Sequence, residues 1–220
     1  MTTLQHHSTA APRTSYEEEL VHMMDDIDAL IEKQTVPLYR KILINYRRHA
    51  LLEVSGRYDE LLQPEMTVAH PRYRIFEGGQ GVILDGMDQV RGFYRSLAEL
   101  DMLVMWTGRQ RIAVGDHGFA GEAEFSQFVP GKMLGDNVFA SMDDAAAKTD
   151  SGYDPDAYYL VRRTLAFVWP YDETGRMVGE HVYEDTNSKT VTRVDTAEVI
   201  TGARAAELLA PLIEKYELPA

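Results

Sequence analysis

The chain has 220 residues, 45% hydrophobic and 26% charged, the balance of a globular domain that buries its own core. A net charge of -13 repels phosphate backbones, and the absence of cysteine excludes disulfides, thiolate catalysis, zinc–cysteine sites and iron–sulfur clusters. No apolar run approaches the ~18 residues of a membrane span, and the opening stretch "MTTLQHHSTAAPRTS" has no apolar signal-peptide core. A cytoplasmic protein without nucleic-acid or membrane partners is therefore expected. Residues 1–14 are polar and proline-bearing and read as a disordered tail, leaving 15–220 as one domain. From Ser15, Leu20, Met23, Met24, Ile27, Leu30 and Ile31 recur at helical spacing, behind three glutamates suited to a helix N-terminus. A second helix follows Pro37, with Tyr39, Ile42, Leu43, Tyr46 and Ala50 on one face, and "RYDELL" adds a short helical piece.

The period then changes. "EMTVAHPRYRIF" reads as a strand ending in the turn cluster "EGGQG", and "VILDGMDQVRGFYRSLAEL" passes from strand to helix with Asp85 as its N-cap. "MLVMWTGRQRIAV" and "FAGEAEFSQFV" form a pair of strands around Gly115-Asp116-His117-Gly118; "YYLVRRTLAFVWPY" and "VGEHVYEDTN" form another around "DETGR". A helix over 201–216 closes the chain, with Pro211 expected to kink it. Residues 131–157 interrupt the strands without clear periodicity, and Phe139 and its apolar neighbours there can serve as a lid or simply sit in a surface extension.

Three stretches carry a resemblance: "NYRRHALLEVSGRYDELLQPEMTVAHP", "LDGMDQVRGFYRSL" and "DETGRMVGEHVYED". Over about residues 36–188 the order of elements resembles the nuclear transport factor 2-like superfamily in its SnoaL-like branch. The resemblance implies an α+β fold: a cone-shaped, curved antiparallel sheet wrapped around N-terminal helices, here with extra N- and C-terminal helices. It also implies an apolar cavity at the open end, a homodimer, and no cofactor. Polyketide cyclases, ketosteroid isomerases, scytalone dehydratases and limonene epoxide hydrolases share this fold, as do non-catalytic binding modules. The implied function is acid/base isomerisation, dehydration or cyclisation of a small hydrophobic oxygenated molecule. The alternative is a ligand-binding or protein-interaction module. Neither Arg162 nor Arg163 is followed by the Asp of the epoxide hydrolases' Arg-x-Asp signature.

The candidate residues follow from strand parity. His181, Tyr183 and Asp185 share one side of the last hairpin strand, while Val178, Glu180, Val182 and Glu184 share the other. The first side is read as the cavity face, where a partly desolvated Asp185 would become a usable proton acceptor. Asp185 also matches the acid/base aspartate of SnoaL-like cyclases, although it can equally cap a turn with Thr186-Asn187-Ser188. His70 is the proton-shuttle candidate, and Tyr46 and Tyr183 are candidate oxyanion donors. Tyr73, Trp106, Phe125, Arg162 and Phe139 complete the candidate substrate contacts. Of Arg162 and Arg163, one must point inward and needs an acidic partner. No H-x-H or H-E-x-x-H spacing occurs, so no metal site is expected.

Overall fold

The computed structural model describes residues 14–78, 80–134 and 152–218. Helix α1 (Ser15–Val21) opens on a capping box in which Thr14 and Glu17 satisfy each other's backbone amides. Where the sequence reads as one helix, a turn at residues 22–24 starts a second, α2 (Asp25–Lys33). Asp25, Asp26 and Asp28 favour a new N-terminus there. The apolar spacing runs across the break because Leu20, Met23, Met24, Ile27 and Ile31 are all buried.

Helix α3 (Pro37–Val54) begins with proline, where no amide hydrogen is required, and stops before Gly56, whose φ of 74° suits glycine. After the short α4 (Tyr58–Leu61) come β1 (Arg72–Glu77), β2 (Gln80–Asp85) and α5 (Met87–Glu99). The N-cap of α5 is Gly86, at φ 98°, in place of the expected Asp85, which ends β2 and pairs with His70. Strands β3 (Met105–Gly115), β4 (Gly118–Pro130), β5 (Tyr158–Pro170) and β6 (His181–Val194) follow, then α6 (Gly202–Ile213) with Thr201 as its cap.

The strands form one sheet in the order β2-β1-β6-β5-β4-β3. Neighbours are antiparallel except β1 and β6, which run parallel. The expected antiparallel sheet thus contains one parallel junction, compatible with the long path between those strands. Register shifts at Thr107/Gln110 and at Arg162/Thr164 bend the sheet, and its concave side closes over α3. There Tyr46 packs on Phe119, Trp169 and Phe167 at ring-centroid distances of 4.5, 5.1 and 6.4 Å. Burying each such ring is worth roughly 1.5–3 kcal/mol. The buried Arg47 ties three helices together, bonding Asp28 at 2.5 Å and the Leu212 carbonyl at 2.7 Å.

No described helix is long and apolar enough to cross a membrane. Within the 131–157 segment, the Gly131 amide donates to the Ala157 carbonyl at 2.8 Å and joins its two feet. Phe139, with the lid expectation attached to it, lies outside the described residues.

Candidate active site

A cavity of about 80 Å³ lies between α3, α5 and the concave side of the sheet, room for several waters or a small organic group. Its walls are mainly apolar: Ile75, Leu97, Phe125, Leu165, Phe167 and Val182, with Met23 and Met24 beside them. Two polar clusters interrupt this lining.

The first is assembled from α3 and the residue preceding β6. Tyr46, His49, Ala50 and Glu53 are spaced i, i+3, i+4 and i+7, one stripe of a helix. Tyr46, Ala50 and Glu53 line the cavity together with Glu180, and His49 is fully buried behind them. His49 Nε2 lies 3.5 Å from Glu53 and 3.9 Å from Glu180. The Tyr94 hydroxyl is 3.1 Å from the same nitrogen and 3.0 Å from the Tyr73 hydroxyl, and it acts electrostatically on the nearby Glu180 carboxyl. One proton arrangement satisfies these contacts. Tyr94 turns its hydroxyl proton toward Glu180 and accepts from Tyr73 and from a proton on His49 Nε2. It leaves His49 Nδ1 buried without a hydrogen-bond partner among the described residues.

Burial pushes the Glu180 carboxyl well above the ordinary carboxylate range, and the neighbouring Glu53 and Glu77 carboxylates push it the same way. The Tyr94 hydroxyl opposes that rise without cancelling it. Burial likewise raises Tyr46, Tyr73 and Tyr94, which therefore stay neutral donors. Tyr46 already spends its hydroxyl proton on Gln110 Oε1 at 2.7 Å.

The second cluster surrounds Arg163. Its Nη2 bonds Glu77 at 2.8 Å and meets Gln127 Oε1 at 3.4 Å, while its Nε faces Glu184 at 4.0 Å. Glu184 also accepts the Gly78 amide, and Gln127 donates to the Met102 carbonyl at 2.7 Å. Arg163 Nη1 is buried without a partner among the described residues. Arg163, Glu77 and Gln127 all line the cavity.

The structure reverses the expected face of the last strand. Glu180 and Val182 line the cavity and Glu184 backs it, whereas Tyr183 is 41% exposed on the outer face and stacks on Phe76. Asp185 is exposed, and its carboxylate accepts the Asn187 amide at 3.0 Å. It caps the bulge in which residues 186–189 face Arg163 alone. His181 is half-buried on that outer side. Desolvation, followed by the Arg74 and Arg72 charges, lowers its pKa. His70, also exposed, bonds Asp85 at 2.9 Å, away from the cavity. Arg162 points to Glu19 and Glu124, so Arg163 is the inward arginine. Tyr46, Trp106 and Phe125 do line the cavity, and Tyr73 stands behind it in the tyrosine network.

His49, Glu53, Glu77, Tyr94, Gln127, Glu180 and Glu184 were not among the sequence candidates, and Arg163 was one of two alternatives for the inward arginine. A signal existed for several. Val178 and Val182 mark the greasy side of the last strand, Leu165, Phe167 and Trp169 fix the parity of Arg163, and the α3 stripe through Tyr46 continues to His49 and Glu53. Among the described residues no cluster of side chains suits a metal ion.

No family model matches the chain, and no curated protein matches it. Solved structures do. A protein from Jannaschia sp. CCS1 assigned as a SnoaL-like polyketide cyclase is 11% identical, with a TM-score of 0.46 over 70% of this chain and 91% of its own. The epoxide hydrolase/cyclase-like enzyme SalBIII, which acts in pyran ring formation in salinomycin, is 12% identical, with a TM-score of 0.40 over 65% and 90%. A phenazine biosynthesis-related protein from Pseudomonas aeruginosa is 13% identical, with a TM-score of 0.42 over 75% and 87%. These are likenesses of chain path at low identity. The chemistry of the cavity rests on its own residues.

Proposed function

We propose that this chain is a cofactor-independent enzyme that moves a proton on a small, neutral, hydrophobic oxygenated molecule, with Glu180 as the transferring group. One observation carries the reading: a carboxyl raised by burial, faced by a neutral tyrosine and flanked by a second carboxyl and an imidazole, lines an otherwise apolar cavity. A carboxylate with a raised pKa is a stronger base than one in water, and the mainly apolar walls of the cavity supply few groups that would weaken it. Glu180 would take a proton from carbon next to a carbonyl, sending the C–H electron pair onto the carbonyl oxygen. Returning the proton elsewhere, losing a hydroxyl or attacking an internal electrophile would then give isomerisation, dehydration or ring closure. Tyr94 favours the charged form of Glu180, and His49 with Glu53 provides a route for exchanging its proton.

The test is exchange of the α-protons of 2-tetralone in D2O, followed by proton NMR. The expected result is catalysed exchange that Glu180→Gln reduces by about 10²–10⁴-fold without loss of fold. Binding of the ketone with no exchange above background would instead identify a binding module. The reading includes a homodimer through the outer sheet face, supported by exposed Phe76, Ile83, Val168 and Tyr183 around the Phe76–Tyr183 stack at 5.4 Å. Sedimentation of Tyr183→Lys, expected to run as monomer where the parent runs as dimer, tests that part.

A further inference from the structure

Glu77, Glu184 and Arg163 bring two carboxylates to one guanidinium in an almost fully buried cluster. Yet the guanidinium is not saturated, because Nη1 has no hydrogen-bond partner among the described residues. A buried donor left unpaired is destabilising, and here it belongs to a side chain that lines the cavity. The orphan N–H calls for an acceptor oxygen. The charge around it restricts which kind: with two carboxylates beside one cation, a third carboxylate would be repelled and desolvated together, whereas a carbonyl or ether oxygen would not.

The place of this group in the fold adds a length. On β6 and its lead-in, Glu180, Val182 and Glu184 face inward in succession, and at ~3.3 Å per residue the first and last lie about 13 Å apart along the strand. On β1, Ile75 pairs with Val182 in parallel register, so Tyr73 falls at the Glu180 level and Glu77 at the Glu184 level. The cavity is therefore layered: an acid end at Glu180, an apolar belt at Ile75, Val182 and Phe167, and a hydrogen-bond-donor end at Arg163, whose charge Glu77 and Glu184 more than offset.

We propose that Arg163 Nη1 receives a neutral acceptor oxygen at the end of the ligand remote from Glu180, so that the site selects elongated, uncharged molecules and refuses carboxylates. This rests on the proposed function for its orientation, but it concerns binding and not turnover. Gln127 Oε1 accepts from the same Nη2 that bonds Glu77, and its own amide is pinned by the Met102 carbonyl, which leaves Nη1 alone unpaired among the described residues.

The experiment compares three probes of one shape, 2-acetonaphthone, 2-ethylnaphthalene and 2-naphthoate, by calorimetric or fluorescence titration. The expected order is ketone tightest, by about tenfold over the hydrocarbon, with naphthoate weakest. In Arg163→Met/Glu77→Gln/Glu184→Gln, which removes the cation without stranding its carboxylates, the ketone should lose its advantage while the hydrocarbon binds as before. Naphthoate binding tightest, no measurable binding of the ketone, or a ketone preference that survives in the triple variant would each overturn the proposal. Should the triple variant not fold, the order of the three probes on the parent protein decides alone. Glu180→Gln separates the two readings: it should abolish α-proton exchange yet leave the probe order intact.

Discussion

The two faces of the last hairpin strand carry nearly the same chemistry in opposite surroundings. Outward, His181, Tyr183 and Asp185 present an imidazole, a phenol and a carboxylate near or in water. Inward, Glu180 and Glu184 flank Val182 under α3 and the aromatic core. Asp185 spends its carboxylate on a turn amide, as an exposed aspartate commonly does. Glu180, five residues earlier and on the other side, cannot be solvated by bulk water and so holds its proton to higher pH. Residue type gives each group its capacity, and burial decides whether that capacity is altered enough to do chemistry.

Four measurements test this contrast. The largest effect is expected on rate. Against the loss foreseen for Glu180→Gln, Asp185→Asn should change α-proton exchange by less than about twofold; comparable losses from both would erase the distinction between the faces.

The adjacent arginines offer the same comparison in stability. Arg163→Met leaves Glu77 and Glu184 buried without their cation and should cost about 3–5 kcal/mol in urea unfolding. Arg162→Met, whose partners Glu19 and Glu124 are largely solvated, should cost about 1 kcal/mol or less.

The pH profile comes next. If Glu180 is the base, exchange should fall on acidification with a midpoint above the ordinary carboxylate value. Tyr94→Phe, which removes a hydroxyl favouring the charged form, should move that limb to still higher pH. A limb that stays in place would detach Tyr94 from Glu180.

The smallest effect concerns stability against pH. Because the folded-state pKa of Glu180 is raised, folded and unfolded chains both hold the proton below the ordinary carboxylate pKa. Between the two pKa values only the folded chain holds it, so stability drains away as pH rises and levels off above the folded value. Glu180→Gln should therefore raise the melting temperature more at pH 8 than at pH 4.5. Equal shifts at both would mean the carboxyl is not strained by burial.

Much of the fold was legible because it is written in local periods. The helices at 15–33 and 37–54, the hairpin at 115–118 and the alternation in "FAGEAEFSQFV" follow from spacing alone, and Ala123, Phe125 and Gln127 do face inward while Glu122 and Glu124 stay exposed. Tyr46 was legible for the same reason. His49 and Glu53 lie on its stripe but are polar, and a polar residue on a helix reads as solvated until something is seen to cover it. Tyr94 lies on the buried stripe of α5 with Val90 and Leu97, but nothing local announces that its hydroxyl meets a histidine 45 positions earlier.

Residue spacing settled the α+β class, the order of most elements and the alternation of the strands away from their bulges, since helix and strand periods are set by backbone geometry within a few residues. It also required one of Arg162 and Arg163 to be buried beside an acid. Which one, and which side of the last strand is the inside, came from tertiary packing. Strand parity divides residues into two sets without saying which set meets the core. That choice falls to the bulge opposite Arg163, the bend it puts in the sheet and the packing of α3 against the concave face.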